Sequence, residues 1–568
     1  MNNQTAQLLK AHFDIAFTAP QGIQKLRELI LTLAMQGKLV PQDPNDPPAR
    51  ELLKEIENYA LSLLKTRKVS YREISPNSEI LAMQYPIPPK WDWMPFKDVV
   101  FFQEGPGIRN WQFTTSGIKL LNVSNILVNN TLDISNSDKY VSNLEFETKY
   151  KHFEIENGDL LFAGSGASWG KTAWYKDTGQ RVMLNTSTMR LRFFHDKFAP
   201  RYLYYFVKSK CFKQQLEIQL VGLQPNFGST HFCRLYIPLP PLPEQHRIVA
   251  KIDQLMALCD ELEKLKKEQE AKRLSVHASA IKGLLEQNDN SAWDFIKNHF
   301  SELYSVKENI AELRKAILQL AVMGKLVPQD PNDPPARELL KDIEAEKQNL
   351  IQSGKIKKPK PLPPIKQEEI PYELPKGWEW VRLGEIGIIN PRNDLDDSSI
   401  TGFVPMPLIP SGYSEKHSFE ERIWGEIKKS YTHFANGDIG MAKITPCFEN
   451  AKSCVFANLP NGIGAGTTEL HIFRNSFNAV FPRYLLYYLK NPQYIMDAIQ
   501  NMTGSAGQKR VPTPYFIERP FPLPPLPEQH RIVAKIDQLM ALCGELEQTI
   551  ESARNKQEDC LKSIMAQV

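Results

Sequence analysis

The stretch LLFAGSGASWGKTAWY, residues 160–175, carries the residue types of a phosphate-binding loop. A P-loop follows the pattern G-x-x-x-x-G-K-[ST], in which glycine amides surround phosphate oxygens and the lysine reaches the terminal phosphates. Gly170, Lys171 and Thr172 supply the last three letters, but Ser165 stands where the first glycine should be. Lys171 should also begin a helix, whereas the residues that follow are aromatic and lead into a glycine-containing turn. The sequence therefore favours a tight loop after a strand, with one lysine available to a phosphate or to the edge of a base.

A second motif whose residue types could take part in catalysis is NDPPA, which occurs twice. It resembles the Asp-Pro-Pro-aromatic motif by which amino-methyltransferases hold a target amine. However, Ala49 and Ala336 replace the aromatic residue that would stack on the base. Aspartate followed by proline is typical of the N-cap and first residue of a helix. We therefore interpret Asp46 and Asp333 as helix caps.

Other catalytic and metal-binding patterns are missing from the sequence. No strand followed by G-x-G provides for a methyl donor, the dipeptide Pro-Asp of metal nucleases does not occur, and the 11 histidines form no cluster. The 7 cysteines include no C-x-x-C pair, and the closest two, Cys447 and Cys454, are more typical of buried thiols than of a zinc site. The sequence predicts a chain without a catalytic or metal site and without a cofactor of its own.

Length and composition limit the class of protein. A chain of 568 residues is too long for one core, so two to four domains are expected. A formal charge of +4 does not by itself indicate nucleic acid, and any basic surface must be local. The sequence has neither a long apolar run nor an apolar signal region at its start. These features predict a cytoplasmic protein that does not contact a membrane.

The strongest signal in the sequence is an internal repeat. PLPPLPEQHRIVAKIDQLMALC begins at Pro238 and recurs without change from Pro522, 284 residues further on. GKLVPQDPNDPPARELLK begins at Gly37 and recurs from Gly324. Because 284 is half of 568, the repeat accounts for the whole chain.

The segments between the repeated blocks have diverged and share only short echoes, among them NGD and PRYL. Residues 118–128 and 188–194 have the composition of strands, and residues 201–219 have helical spacing. We therefore predict an α+β fold in which two α/β domains are joined by long helices. The predicted divisions are a helical arm at 1–89, a first variable domain at 90–238, a central helical region with a proline-rich strap at 239–377, a second variable domain at 378–522 and a long helix at 523–568.

Each PLPEQ motif is followed by apolar residues that step by four and three, which is the spacing of a coiled-coil seam. A helix from residue 243 to about 285 would be roughly 60 Å long, and two such helices could pack antiparallel about a pseudo-twofold axis. The alternative is an unrelated core helix in each domain, which would not require near-identical sequence on both faces. A shorter helix ending near Leu320 should be closed by Gly324. The seam positions are Ile248, Ile252, Leu255, Cys259 and Leu262 in the first half and Ile532, Ile536, Leu539, Cys543 and Leu546 in the second.

The repeated PLPEQHRIVAKIDQLM helix, the GKLVPQDPNDPP arm and the GDLLFAGSGASWGK stretch identify the chain as resembling the specificity subunit of type I restriction–modification systems over its full length. The resemblance implies two target-recognition domains that each read half of a split sequence in double-stranded DNA. It also implies partners, namely two adenine-methyltransferase subunits and ATP-driven restriction subunits. S-adenosylmethionine, ATP and Mg would be bound by those partners, and this subunit would be non-catalytic.

The candidate DNA-binding residues are side chains on glycine-rich loops that can pair with base edges: Arg or Lys with guanine, Asn or Gln with adenine, and Ser or Thr with either. For each of them the alternative is a solvated turn residue. Residues 90–238 contain 18 Lys or Arg and 13 Asp or Glu, which favours phosphate contacts in the first domain. The candidates are Arg109, Asn110, Gln112, Ser168, Lys171, Gln224 and Asn226 in the first domain and Arg392, Asn393, Lys443, Thr445, Ser505, Gln508, Lys509 and Arg510 in the second.

Two other functional interpretations remain open at this point. A coiled-coil scaffold with two protein-binding domains would also keep its frame constant while its domains diverge, and DNA binding that depends on salt would separate it from a DNA reader. A fused nuclease or methyltransferase is disfavoured by the missing catalytic motifs.

Overall fold

A computed structural model describes residues 7, 19–71, 74–75, 77–136, 138–195, 198–222, 224–286, 291–354, 356, 358–505 and 507–567. The chain forms two compact units, one made of residues 1–268 and 553–568 and the other of residues 269–552. In the described ranges, no helix is both long enough and apolar enough to cross a membrane.

The first half of the chain contains a four-stranded sheet, a smaller three-stranded sheet and a strand pair that closes the domain. Its helices are α1 Gly22–Met35, α2 Ala49–Thr66, α3 Ser78–Ala82, α4 Phe96–Val99, α5 Asn143–Glu145, α6 Pro200–Lys208, α7 Lys210–Glu217, α8 Ser229–Phe232 and α9 Leu242–Glu286. Its strands are β1 Asp92–Pro95, β2 Val100–Glu104, β3 Ile118–Leu121, β4 Tyr140–Val141, β5 Leu160–Ala163, β6 Thr172–Trp174, β7 Val182–Leu184, β8 Thr188–Phe193 and β9 Tyr236–Leu239.

The second half follows a similar plan, with two four-stranded sheets and a strand pair that closes the domain. Its helices are α10 Ser291–Asn298, α11 Phe300–Leu303, α12 Lys307–Val322, α13 Ala336–Gln352, α14 Leu383–Ile386, α15 Trp424–Ile427, α16 Pro482–Leu489, α17 Pro492–Gln500, α18 Thr513–Glu518 and α19 Leu526–Gln567. Its strands are β10 Glu379–Arg382, β11 Ile388–Ile389, β12 Ile400–Val404, β13 Glu420–Ile423, β14 Thr432–Ala435, β15 Ile439–Ala442, β16 Ser453–Val455, β17 Ile463–Gly466, β18 Leu470–Arg474 and β19 Pro520–Leu523.

The larger sheets of the two diverged domains have the same topology. The antiparallel order β2-β8-β5-β6 in the first domain is repeated as β11-β18-β15-β16 in the second. The smaller sheets are both built on a parallel pair, β3 with β7 and β12 with β17. The first has three strands in the order β4-β3-β7, whereas the second has four in the order β13-β12-β17-β14. The pairs β1-β9 and β10-β19 close each domain at its two ends in the sequence. The predicted α+β fold with two α/β domains is therefore confirmed.

The shared NGD sequence forms the same turn in both domains. Asp159 accepts a hydrogen bond from the backbone N–H of Glu156 at 2.8 Å and another from Arg192 Nε at 2.7 Å. In the second domain, Asp438 accepts from the N–H of Ala435 at 2.7 Å and from Arg474 Nε at 2.9 Å. The aspartate thus closes the turn before a central strand and fixes it to the neighbouring strand, which explains why it persists in otherwise different sequences.

The repeated long helix contacts the start of the variable domain in the same way in each unit. Trp91 Nε1 donates to Glu244 at 2.8 Å, and Trp378 Nε1 donates to Glu528 at 2.9 Å. The two glutamates begin α9 and α19, and the two tryptophans precede the first strand of each variable domain. Identical blocks therefore build an identical frame around each variable domain.

The interpretation of Asp46 and Asp333 as helix caps is wrong. Helices α2 and α13 begin three residues later, at Ala49 and Ala336, with a proline in the N-cap position. The two aspartates instead accept hydrogen bonds from arginines of the long helices. An ion pair with a guanidinium group stabilises the carboxylate more than capping of one backbone N–H would.

The glycine that ends the arm helix has the predicted role. Gly37 and Gly324 follow α1 and α12 with φ of +68° each, which is the left-handed conformation of a C′ residue. A Cβ atom at either position would lie 2.4 Å from Cγ of Pro88 or Pro375. Both the backbone conformation and the close approach therefore require glycine.

Other local predictions are confirmed in part. The helix expected from residue 243 to about 285 is α9, and β8 occupies the strand expected at 188–194. The strand expected at 118–128 ends at Leu121 and passes into a 3-10 turn. The helical stretch at 201–219 is interrupted at Ser209, whose hydroxyl accepts the N–H of Phe212 and caps α7.

The first seam residues of each long helix lie in the core of their own unit. Ile248 and Ile252 are fully buried in the core of the first unit, and Ile532 and Ile536 are fully buried in the core of the second. Further along, Cys259 and Cys543 are buried, whereas the seam leucines are half-buried. The arm helix packs on the same surface, since Arg27 in α1 forms an ion pair with Asp260 at 2.6 Å. The beginning of the seam is therefore used to attach each long helix to its own domain.

Candidate nucleic-acid interface

In the first domain, loops from several strands meet at one end of the four-stranded sheet. Strands β2 and β5 end there and β8 begins there, because the sheet is antiparallel. The N–H of Gly105 donates to Thr188 O at 2.9 Å, and the N–H of Gly164 donates to Ser187 O at 2.8 Å. These backbone bonds hold the loops after β2 and β5 on either side of the turn before β8. We call this set of loops the first loop cluster: residues 105–113, 163–171, 185–188 and 224–228.

The loop after β5 is joined to the loop that precedes α8. Ser165 and Asn226 form an isolated β-bridge, and the N–H of Gly166 donates to Pro225 O at 3.0 Å. Gln224 and Asn226 are exposed on this pair of loops. The structure therefore brings Ser168 and Lys171 beside Gln224 and Asn226, which lie more than 50 residues away in the sequence.

The GSGASWGKT stretch is a hairpin and not a phosphate-binding loop. Lys171 is followed by β6, which pairs antiparallel with β5, and not by a helix. The N–H of Gly170 donates to Ala163 O and the N–H of Ala163 donates to Lys171 O, each at 2.9 Å. Lys171 is half-exposed and its Nζ donates to Ser168 Oγ at 3.1 Å. The expectation of a tight loop after a strand is confirmed.

The candidates on the loop after β2 divide into two kinds. Arg109 and Asn110 are exposed. Gln112 is buried, and its amide donates to Glu145 at 2.7 Å and to the hydroxyl of Tyr150 at 3.0 Å. Gln112 is therefore not available on the surface of the loop, because its amide holds the loop against the segment that follows β4.

The second domain has an equivalent second loop cluster, which comprises residues 390–393, 442–452, 467–469, 502–505 and 507–511. The N–H of Thr445 donates to Lys509 O at 3.0 Å, and the N–H of Val511 donates to Lys443 O at 2.8 Å. Residues 444 and 510 form the bridge that corresponds to the one between Ser165 and Asn226. Two loops that are remote in the sequence are thus paired in the same way in both domains.

The side chains of the second loop cluster differ in how available they are to a ligand. Ser505, Gln508 and Lys509 are exposed, and Lys443 and Thr445 are half-exposed. Arg510 forms a bidentate ion pair with Glu469, with Nε and Nη2 2.9 and 2.8 Å from its oxygens. Hydrogen bonds from Arg510 lower the pKa of Glu469, so that carboxylate is ionised at neutral pH.

The two candidates at the start of the second cluster have different environments. Arg392 is exposed. The side chain of Asn393 is used within the domain, since its Nδ2 donates to Phe434 O and its Oδ1 accepts from Arg474 Nη2, each at 2.8 Å. Asn393 therefore positions the loop that carries Arg392.

The sequence analysis did not select the turn between β7 and β8. The hydroxyl of Thr186 donates to Pro106 O at 3.1 Å, and Ser187 has a left-handed φ of 64°. The corresponding turn in the second domain carries Thr467 and Thr468, and Thr468 is exposed. A run of short hydroxyl residues in both sequences, NTST and TTEL, is the signal that would have identified this turn.

Within the ranges that the structure describes, no group of three or more His, Cys, Asp and Glu side chains could hold a metal ion. The loop clusters offer guanidinium, ammonium, amide and hydroxyl groups on a framework of backbone hydrogen bonds. Such groups suit recognition of a polar, anionic surface.

Comparison with known proteins places both loop clusters in one family. Residues 89–273 and 375–553 match the type I restriction modification DNA specificity domain. The chain is 52% identical over 265 residues to the type I restriction enzyme EcoAI specificity subunit of Escherichia coli, which covers 46% of this chain and 44% of the relative. It is 50% identical over 266 residues to the EcoEI specificity subunit of the same organism, covering 47% of this chain and 44% of the relative. The matched region thus spans somewhat less than half the length of each of these relatives.

A solved structure is also similar over most of the chain. The crystal structure of the HsdS subunit from Thermoanaerobacter tengcongensis covers 85% of this chain and 97% of its own, with a TM-score of 0.41 and 18% identity. Because the two segments that match the family comprise more than half of the residues and contain both loop clusters, the chain belongs to the family of type I restriction modification DNA specificity domains.

Proposed function

We propose that this chain is the DNA sequence-recognition subunit of a type I restriction–modification complex. Its two variable domains, residues 90–238 and 378–522, would each read one half of an asymmetric bipartite target in double-stranded DNA. The observation that supports this proposal best is the contrast between constant and variable parts. The frame contacts are repeated residue by residue, whereas the side chains on the two loop clusters differ.

The chemistry of the loops suits base and phosphate contacts. Arg109 and Asn110 in the first cluster, and Arg392, Gln508 and Lys509 in the second, are exposed and can pair with base edges in the major groove or with phosphates. Backbone hydrogen bonds hold these loops, so the loop backbone loses little freedom on binding. Because the two sets differ, the two half-sites should differ in sequence.

The constant frame supports a role in assembly. Two copies of the same surface can bind two copies of the same partner, and we propose that these are the methyltransferase subunits, with restriction subunits added to the complex. S-adenosylmethionine, ATP and Mg would then be bound by those partners. Helices α9 and α19, paired antiparallel along the predicted seam, would set the spacing of the two readers. Two-reader proteins commonly place their readers about one helical turn, or ~34 Å, apart.

Mapping of methylated bases in cells that express this chain with its methyltransferase tests the proposal. One split, asymmetric, adenine-methylated motif is expected. Duplexes that carry this motif should bind the complex with a strong dependence on salt. Failure to bind any duplex at low salt, with the methyltransferase still assembled, would favour the alternative of a two-domain protein-interaction scaffold.

A further inference from the structure

Trp111 is a large aromatic side chain that the fold presents to solvent. Its side chain is 80% exposed, and it is the one exposed aromatic residue among the described parts of the two variable domains. We propose that Trp111 is a wedge that stacks on a base of the first half-site and locally distorts the duplex. This inference rests on the proposed DNA-reading function and adds a residue and a mode of readout to it.

The turn that carries Trp111 is held rigidly. The N–H of Gln112 donates to Arg109 O, and the N–H of Arg109 donates back to the side-chain oxygen of Gln112, each at 2.9 Å. The amide of Gln112 is in turn anchored to Glu145 and Tyr150. A buried polar network on one side of the turn therefore holds the indole ring out on the other side.

The surroundings of Trp111 favour a polyanion as its partner. Arg109 and Asn110 are exposed next to it, and Lys139 Nζ lies 4.7 Å from the ring centre of the following Phe113. Glu145 is an acidic group in contact with this turn, and both of its partners stabilise its charge. Its Oε1 accepts a hydrogen bond from Gln112 and lies 3.4 Å from Lys149 Nζ. Leu144, next to Glu145, is an exposed apolar residue near this turn. The exposed residues adjoining Trp111 in the turn itself, Arg109 and Asn110, are cationic and polar, which suits a polyanion.

The same loop is continuous with the first loop cluster. Pro106 O, five residues before Trp111, accepts the hydroxyl of Thr186 from the turn before β8. A duplex bound across the cluster would therefore lie within reach of the indole. Apolar wedges that enter between base steps unstack them and kink DNA, and stacking of a base on an aromatic side chain is sequence-tolerant.

The second domain lacks a counterpart in the part that the structure describes. Its exposed large apolar residues are Ile400, Ile423, Met496 and Ile499, none of which is aromatic. The loop that corresponds to residues 105–113 instead exposes Arg392. Distortion is therefore expected in the half-site read by residues 90–238 and not in the other.

The test uses the full chain without methyltransferase and a duplex that carries the motif mapped by methylation sequencing. 2-Aminopurine replaces each adenine in turn, and its fluorescence reports unstacking. The variants are Trp111→Ala, Trp111→Phe and, as a matched control, Trp293→Ala, since Trp293 in α10 is 49% exposed and lies outside the variable domains. Binding affinity and methyltransferase assembly are measured for each.

Fluorescence should rise in the first half-site alone. Trp111→Ala should abolish the rise and weaken binding roughly tenfold, while Trp111→Phe should stay within about threefold of the unaltered chain. Trp293→Ala should change neither quantity. Unchanged affinity and fluorescence in Trp111→Ala, or loss of methyltransferase assembly with normal DNA binding, would overturn the wedge alone. Failure of the unaltered chain, assembled with its methyltransferase, to bind the mapped duplex would instead overturn the proposed function and the wedge with it.

Discussion

Arg247 donates to both carboxylate oxygens of Asp46, with its Nη2 2.6 Å and its Nη1 3.4 Å from them. The same pair recurs between Arg531 and Asp333, at 2.6 and 3.2 Å. Each pair connects the NDPP block of one half to the long helix of that half. The repeated NDPP motif is therefore a part of the frame, and its resemblance to a methyltransferase motif has no catalytic meaning here.

Replacement of Asp46 by Ala should lower the free energy of unfolding by about 1–2 kcal/mol, because a buried carboxylate and two charge-assisted hydrogen bonds are lost. Asp333→Ala should have a similar effect, since its contacts are the same. Denaturant titration measures both. Arg50→Ala is the control, because Arg50 is 75% exposed in its ion pair with Asp92 and should contribute little. A clear difference between Asp46→Ala and Asp333→Ala would contradict the equivalence of the two frames.

Replacement of Lys171 by Ala should weaken binding to the target duplex several-fold and leave assembly with the methyltransferase intact. If Lys171 contacts a phosphate, the slope of log affinity against log salt should fall by about one. Filter binding or fluorescence anisotropy over a salt series measures this change. Lys176→Ala, an exposed lysine beyond β6, should leave the slope unchanged. Unaltered DNA affinity, or ATP binding that disappears with Lys171, would refute this role.

Replacement of Leu539 by Asp should destabilise the second unit, because this half-buried leucine packs against its core. An unpaired carboxylate in apolar surroundings should lower the free energy of unfolding by roughly 3 kcal/mol, with misassembly or insolubility as the expected result. Leu542→Asp is the matched control on the same helix, since Leu542 is 52% exposed. Normal folding and full activity of Leu539→Asp would show that the seam assignment is wrong.

Burial lowers the pKa of His471 to about 4, and the neutral ring donates from Nε2 to Val511 O at 2.8 Å. The unfolded chain, with an ordinary histidine pKa near 6.5, binds the proton more readily, so this group favours unfolding as pH falls from about 6.5 to about 4. The stabilisation is fully present above pH ~6.5, and the loss amounts to about 3 kcal/mol at most. The difference in unfolding free energy between the unaltered chain and His471→Gln, followed from pH 7 to 5, isolates this contribution. A pH-independent difference would contradict it.

Residues 1 to about 287 contain an arm, a variable domain and a long helix, and this half-chain should form a homodimer. In the full chain, Ala280, Ile281 and Leu284 pack in the second unit with residues of α12 such as Ile310. In the half-chain α12 is missing, but α1 of a second copy corresponds to it and can pack against the end of α9. With its methyltransferase, the dimer should modify a palindromic motif made of the first half-site and its inverted copy, which methylation mapping detects. A soluble dimer that still modifies an asymmetric motif would contradict the two-reader hypothesis.

Features that depend on neighbouring residues or on repetition can be predicted from the amino-acid sequence alone. The limits of α9, the C′ role of Gly324 and the non-helical course after Lys171 follow from periodicity and local conformational preference. The duplication of the chain is visible in letters, and it correctly predicted two domains of one plan. Catalytic motifs are short and local, so the sequence also shows that they are missing and favours a binding role for the loops.

Contacts between residues that are distant in the sequence depend on how the whole chain folds. Whether Asp46 caps a helix or binds an arginine depends on Arg247, which lies 201 residues away in the sequence. Similarly, Gln112 is buried because Glu145 and Tyr150 fold back over it, while its neighbour Trp111 remains exposed. The burial of Gln112 and the exposure of Trp111 depend on packing between segments that are remote in the chain, and no local pattern encodes them. The pairing of residues 165 and 226, and of 444 and 510, which builds both loop clusters, is of this kind.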